Sequence, residues 1–200
     1  MQKITLQELA QMAADAREAI WENAETNGRE PKIYLHWSAG HYGQFFDDYH
    51  VNIDADGTLY AATDDLAETL AHTYRRNSGS VGLSMACCAF ATSDDLGKEP
   101  PTDAQIEAMA LAIMTVADGL WLTIDKAHVM THGEAADNED GLEPHDAYGP
   151  RSTCERWDLE YLATEESPSF DPWAEDGSRG GDVLRGKANW YRNRKLKGEL

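Results

Sequence analysis

The chain has 200 residues and a formal net charge of -19 at pH 7. This length fits one domain whose core needs no disulfide framework, and the acidity excludes nucleic acid as a partner, because phosphate binding requires a cationic surface. The sequence has no run of about 18 apolar residues, and residues 1–5 start no signal-peptide core, so we expect synthesis in the cytoplasm without a signal peptide and no membrane insertion.

The first half of the chain predicts one helix and three short strands. A capping-box pattern at residues 5–8, followed by apolar residues at helical spacing, predicts a helix from about Thr5 to Asn23. Residues 32–37 then form a predicted strand that delivers His36 to a stretch of small residues. Residues 49–53 and 58–62 flank an Asp-Gly turn, which predicts a β-hairpin.

The second half predicts a buried strand, a helix and another strand that ends in a histidine. Residues 81–90 are apolar enough for a central strand, and we expect the adjacent Cys87 and Cys88 to be buried thiols. Residues 102–120 carry a cap and one apolar stripe, which predict a second helix. Residues 126–132 form a short predicted strand that closes on His132.

The remaining chain shows less pattern. Residues 133–154 are acidic and without periodicity, which is typical of a functional loop. Residues 164–181 are polar and rich in Ser, Pro and Gly, as in a linker. Residues 182–200 form the only basic part, for which a solvated terminal helix is the favoured interpretation and contact with an anionic polymer the alternative.

Two histidines that close short strands indicate a metal site. Parallel neighbouring strands could place His36 and His132 at one edge of the sheet. A catalytic zinc takes three protein ligands and leaves one position open for water. Spacing alone does not choose the third ligand among the candidates Glu134, Asp137, His145, Cys154 and Asp158.

The order of these segments resembles the zinc-dependent N-acetylmuramoyl-L-alanine amidases, a family that includes phage endolysins, recycling amidases and animal peptidoglycan recognition proteins. The resemblance covers about Ile33 to Leu162. It is carried by Leu35-His36-Trp37-Ser38-Ala39, Tyr49-His50, Asp56-Gly57, Asn77 with Ser80-Val81-Gly82-Leu83, Pro101 to Gln105, His132-Gly133-Glu134 and Arg156-Trp157-Asp158. It implies an α/β fold with a central mixed β-sheet flanked by helices in a single domain.

The resemblance also implies a set of site residues. The implied Zn²⁺ ligands are His36, His132 and Asp158, with Cys154 as the alternative third ligand. Tyr49 and Arg156 are expected to face the developing oxyanion, and Glu134 is a reserve candidate for proton transfer. The predicted substrate-binding residues are His72, Asn77 and Trp37.

Some positions depart from the family pattern. Ser84 stands where recycling-type members carry a glutamate that acts on the water, and Arg156 replaces a lysine. Leu159-Glu160 replaces a Pro-Gly pair. These departures leave the identity of the general base open, and they make a recycling role less favoured than a lytic one.

The implied activity is attack of a zinc-bound water on the amide between N-acetylmuramic acid and L-alanine. The alternatives are a peptidoglycan-binding module without catalysis and a zinc peptidase that acts on wall peptides. The expected partners are peptidoglycan or muropeptides, and the expected state is a monomer that reaches the wall by holin-assisted release or by a secretion system with an immunity protein. We expect residues 1–165 to form the catalytic domain, and residues 166–200 a linker and basic tail.

Overall fold

The structure is a computed structural model that describes residues 1–142 and 157–200. The strands in these ranges are β1 Gln2–Ile4, β2 Lys32–Trp37, β3 Val51–Ile53, β4 Leu59–Ala61, β5 Ser80–Met85 and β6 Val129–Thr131. The helices are α1 Leu6–Thr26, α2 Asp103–Leu120, α3 His132–Ala136 and α4 Gly180–Leu196. None of the helices in the described ranges combines the length and apolar character that a membrane span requires.

The strands of the described chain form one mixed sheet in the order β1-β4-β3-β5-β2-β6. β3 and β4 pair antiparallel as the predicted hairpin, and β1, which the sequence did not predict, pairs antiparallel with β4. β3, β5, β2 and β6 run parallel to one another. This arrangement confirms the predicted α/β class with a central mixed sheet.

The two faces of β2 have different surroundings. Ile33, Leu35 and Trp37 belong to the main core, together with apolar residues of α1 and α2. Tyr34 belongs instead to a small cluster with Met130 and Ala135. Because side chains alternate along a strand, His36 lies on the same face as Tyr34, opposite the main core.

Helix α2 begins where the sequence predicts. Thr102 and Gln105 form a capping box, and the buried Gln105 amide donates to the carbonyl oxygens of Ile53 and Ala86, at 3.0 Å each. These two carbonyls lie at the ends of β3 and β5, at the same edge of the sheet. The helix start is therefore fixed to the ends of two central strands.

The C-terminal residues, expected to form a linker and a basic tail, contribute α4 to the same core. Leu184 and Ala188 have no exposed surface and pack in the main core. The basic side chains of α4 also pair with α2: Lys187 Nζ lies 2.8 Å from Glu107 Oε1, and Arg192 Nε lies 2.8 Å from Asp118 Oδ1. Much of the basic charge thus neutralises acidic groups of the chain itself.

Candidate metal centre

Three buried side chains from distant segments meet at the carboxyl ends of β2 and β6. His36 Nδ1 lies 3.2 Å from His132 Nδ1 and 3.5 Å from Asp158 Oδ2. His132 Nδ1 lies 3.3 Å from the same carboxylate oxygen. The parallel register pairs Leu35 with Thr131, so the residues that follow them are neighbours across the sheet edge.

This triangle of atoms has the dimensions of a zinc site. Zinc holds nitrogen and carboxylate oxygen at about 2.0–2.1 Å in a tetrahedron, so two such ligand atoms lie roughly 3.3–3.4 Å apart. The observed separations of 3.2, 3.3 and 3.5 Å agree with that spacing. Two imidazoles and one carboxylate are also a donor set that zinc prefers. His36, His132 and Asp158 could therefore hold a zinc ion.

His132 begins a helix, whereas the sequence predicted that it ends a strand. Thr131 is the N-cap of α3: its hydroxyl accepts from the amide of Glu134 at 3.1 Å, and Glu134 Oε2 accepts from the amide of Thr131 at 2.9 Å. This reciprocal cap turns the chain directly after β6. It fixes the backbone of His132 at the edge of the sheet.

The structure does not support the predicted proton transfer by Glu134. Its carboxylate is buried and accepts one hydrogen bond on each oxygen from the Arg185 guanidinium, at 2.8 Å each. Burial by itself would raise the pKa of Glu134, but the hydrogen bonds and charge of Arg185 outweigh burial and hold the pKa below its usual value. Glu134 is therefore ionised and has a structural role, which is to cap the N-terminus of α3.

Behind His36 lies a polar contact that the sequence did not predict. Thr73 Oγ1 is 3.4 Å from His36 Nε2 and 2.9 Å from His72 Nδ1. Asn77 Oδ1 accepts from the amide of Thr73 at 2.7 Å and so fixes this loop. Outer contacts of this kind orient metal-binding imidazoles. Thr73 carried no sequence signal, because it lies in a segment without periodicity.

His72 and Tyr49 lie beside His36, the first candidate ligand. The His72 ring meets the His36 ring edge-on with centroids 5.4 Å apart, and the Tyr49 ring lies 4.9 Å from the same ring. Burial, together with the neighbouring rings of His36 and His50, holds the pKa of His72 well below its usual value. A neutral His72 is thus expected near neutral pH. Substrate contact by His72 and Asn77 remains a prediction.

The prediction that Trp37 binds substrate is wrong. Its side chain is 1% exposed and packs in the main core, on the face of β2 opposite His36. Adjacent residues of a strand point to opposite faces, so a neighbour of the ligand in sequence is not its neighbour in space. Arg156, Cys154 and His145 lie outside the described residues.

Ser84 occupies the β5 position that pairs with His36 in the parallel register. Its side chain is fully buried, and its hydroxyl has no hydrogen-bond partner within residues 1–142 and 157–200. Ser84 lies on the face of the sheet that carries His36, because Leu83 and Met85 both belong to the main core. The side chain that β5 places beside His36 is therefore a hydroxyl and not a carboxylate.

Comparison with known proteins identifies the family to which the chain belongs. A sequence model described as N-acetylmuramoyl-L-alanine amidase matches residues 4–152. Among solved structures, the chain is similar to the endolysin N-acetylmuramoyl-L-alanine amidase LysCS from Clostridium intestinale, with 16% identity, a TM-score of 0.38, and coverage of 52% of this chain and 68% of that one. Comparison with curated proteins gave no match. The family match includes His36 and His132 and ends before Asp158. Asp158 is assigned to the site from its distances to the two histidines.

Proposed function

The chain belongs to the N-acetylmuramoyl-L-alanine amidase family, and from that premise we propose that it is a zinc-dependent peptidoglycan amidase. The bond that it hydrolyses is the amide between the lactyl group of N-acetylmuramic acid and L-alanine. The observation that carries this proposal is the triangle of His36, His132 and Asp158, whose edges agree with tetrahedral zinc.

Each residue of the site has a distinct part in this mechanism. His36 and His132 offer Nδ1 lone pairs as neutral imidazoles, and Asp158 offers one negative charge. When bound, zinc supplies Lewis acidity that polarises a carbonyl and lowers the pKa of water. With Nδ1 of His36 as the metal ligand, its Nε2 would carry the proton, and Thr73 Oγ1, 3.4 Å away, could accept it in a hydrogen bond.

We propose that Tyr49 stabilises the reacting carbonyl. Its ring lies 4.9 Å from the His36 ring, so the residue is next to the first candidate ligand. We assign its phenol the role of a hydrogen-bond donor to the oxyanion that forms as the amide is attacked. Arg156 remains the predicted second donor.

A test compares Asp158→Asn with Asp118→Asn. Asn keeps the shape of residue 158 but removes the charge that a zinc site of this type needs, so we expect loss of both bound zinc and clearing of purified cell walls. Asp118 pairs with Arg192 and is not one of the three residues of the candidate metal site, so its variant should keep both properties. Zinc content is measured by elemental analysis and wall clearing by turbidity.

The result that would overturn the proposal is wild-type protein that clears walls without zinc, or an Asp158→Asn variant that keeps the zinc content and activity of the wild type. A recognition module without catalysis would bind walls but leave their turbidity unchanged in every variant.

A further inference from the structure

The first residues of helix α4 contact two segments of the site, the one that carries His132 and the one that carries Asp158. The amide of Gly180 donates to the carbonyl oxygen of Glu160 at 3.0 Å, and a Cβ at Gly180 would overlap the carbonyl of Leu159. A Cβ at Gly181 would lie 2.9 Å from both Glu134 Oε1 and Thr131 Cγ2. Only glycine allows this close approach of the helix to the site.

Two buried arginines hold these segments. Arg185 donates to both oxygens of Glu134 at 2.8 Å each, and also to the carbonyl of Val129 in β6 at 3.0 Å. Arg179 donates to both oxygens of Glu160, at 3.0 and 3.1 Å. Bidentate pairs of this type fix orientation as well as distance.

The two glutamates have equivalent positions relative to the metal ligands. Glu134 follows His132 by two residues, and Glu160 follows Asp158 by two residues. Gly133 lies against Glu160, because a Cβ at Gly133 would overlap Glu160 Oε1. The two ligand segments are thus packed on each other, with one arginine fixing each of them.

The electrostatics explain why this arrangement needs arginine. Glu134 and Glu160 are both 1% exposed, and their charges lie in adjacent packed segments. Arg179 Nη2 also lies 2.9 Å from Glu139 Oε1. Burial already raises the pKa of Glu160 to about 7. Loss of either guanidinium would leave a buried carboxyl group without its partner, so that group would have to take up a proton or its segment would have to move to solvate it.

We propose that α4 is a clamp for the metal centre, in which Arg179 and Arg185 are positioning residues that hold Asp158 and His132 at the spacing that zinc requires. The proposal rests on the proposed zinc site. The clamp residues lie beyond residues 4–152, which the family model matches, so the inference concerns the C-terminal part of this chain.

The test uses variants that keep the charge and lose the bidentate geometry. Arg179→Lys and Arg185→Lys are compared with Arg192→Lys, which alters an ion pair of α4 with Asp118 in α2, two helical turns after Arg185. Chelator competition measures the zinc dissociation constant, and the visible spectrum of the cobalt(II)-loaded protein reports the geometry around the ion. We expect zinc affinity to fall roughly tenfold or more in each clamp variant, as for other outer contacts of metal ligands, and the cobalt spectrum to change. Arg192→Lys should match the wild type in both.

The possible outcomes distinguish a failure of the clamp proposal from a failure of the proposed function. Wild-type protein that binds no zinc refutes the proposed function. Wild-type protein that binds zinc, with clamp variants of equal affinity and spectrum, refutes the clamp, and so does an equal loss in Arg192→Lys.

If the lysine variants do not fold, Arg185→Met combined with Glu134→Gln removes the buried charge pair while glutamine keeps the cap of α3. Weakened zinc binding in this double variant supports the clamp, and wild-type affinity overturns it.

Discussion

Replacement of Gly82 by alanine is expected to destabilise the protein by crowding His72. Gly82 lies in β5, and a Cβ there would be 2.7 Å from Cγ and 2.8 Å from Cδ2 of the His72 ring. Carbon atoms in contact normally lie about 3.5–4.0 Å apart, so the ring would have to move by roughly 1 Å. The ring has little freedom to do so, because Thr73 Oγ1 holds Nδ1 at 2.9 Å and the rings of His36 and His50 meet it edge-on.

Two opposing effects set the magnitude. Alanine in a strand interior is favoured over glycine by roughly 0.5–1 kcal/mol, whereas overpacking of a filled core costs about 1–3 kcal/mol. The steric cost outweighs the gain in backbone entropy, and we expect a net loss of roughly 1–2 kcal/mol in the free energy of unfolding. Gly186 in α4 is the control, because a Cβ there meets nothing within 4 Å, so alanine should stabilise by about 0.5–1 kcal/mol.

Urea unfolding in the presence of a chelator measures both variants without a contribution from bound zinc. The steric reasoning is refuted if Gly82→Ala is as stable as the wild type while Gly186→Ala shows the expected gain.

Three further predictions concern the surroundings of the proposed metal ligands. Tyr49→Phe should lower kcat on cell walls by about 10²–10³ with zinc content unchanged, as for loss of an oxyanion donor, and equal turnover would exclude that role. Thr73→Val should weaken zinc binding about tenfold in chelator competition, because its hydroxyl lies between His36 and His72, and unchanged affinity would contradict this contact. Burial lowers the pKa of His50, so the unfolded chain binds a proton before the folded one does. Its contribution to stability is therefore present above about pH 6.5 and lost as the pH falls through the lowered value. The slope of unfolding free energy against pH below 6.5 should be smaller in His50→Gln, and superimposable slopes would contradict the argument.

The central sheet and two of the three candidate ligands follow from local sequence patterns. The apolar run that ends in His36 and the similar run before His132 indicate parallel strands, and the structure confirms that they are neighbours. Patterns of this kind are local, since alternation and caps extend over only a few residues.

The rest of the site depends on contacts between residues far apart in the chain. Asp158 lies 26 residues after His132, and spacing did not distinguish it from the other candidates. The partner of Glu134 is Arg185, 51 residues later, in a helix that sequence alone presented as a solvated tail. The error on Trp37 has a different origin, because the alternation along β2 already placed it on the face opposite His36.

The most direct test of the amidase proposal is mass spectrometry of purified peptidoglycan digested by the wild-type protein, with chelator, and with chelator followed by added zinc. We expect glycan fragments with a free lactyl carboxylate and peptides that begin with L-alanine, lost with chelator and restored by zinc. Cleavage inside the peptide, or the same products at the same rate after zinc removal, would contradict the proposal.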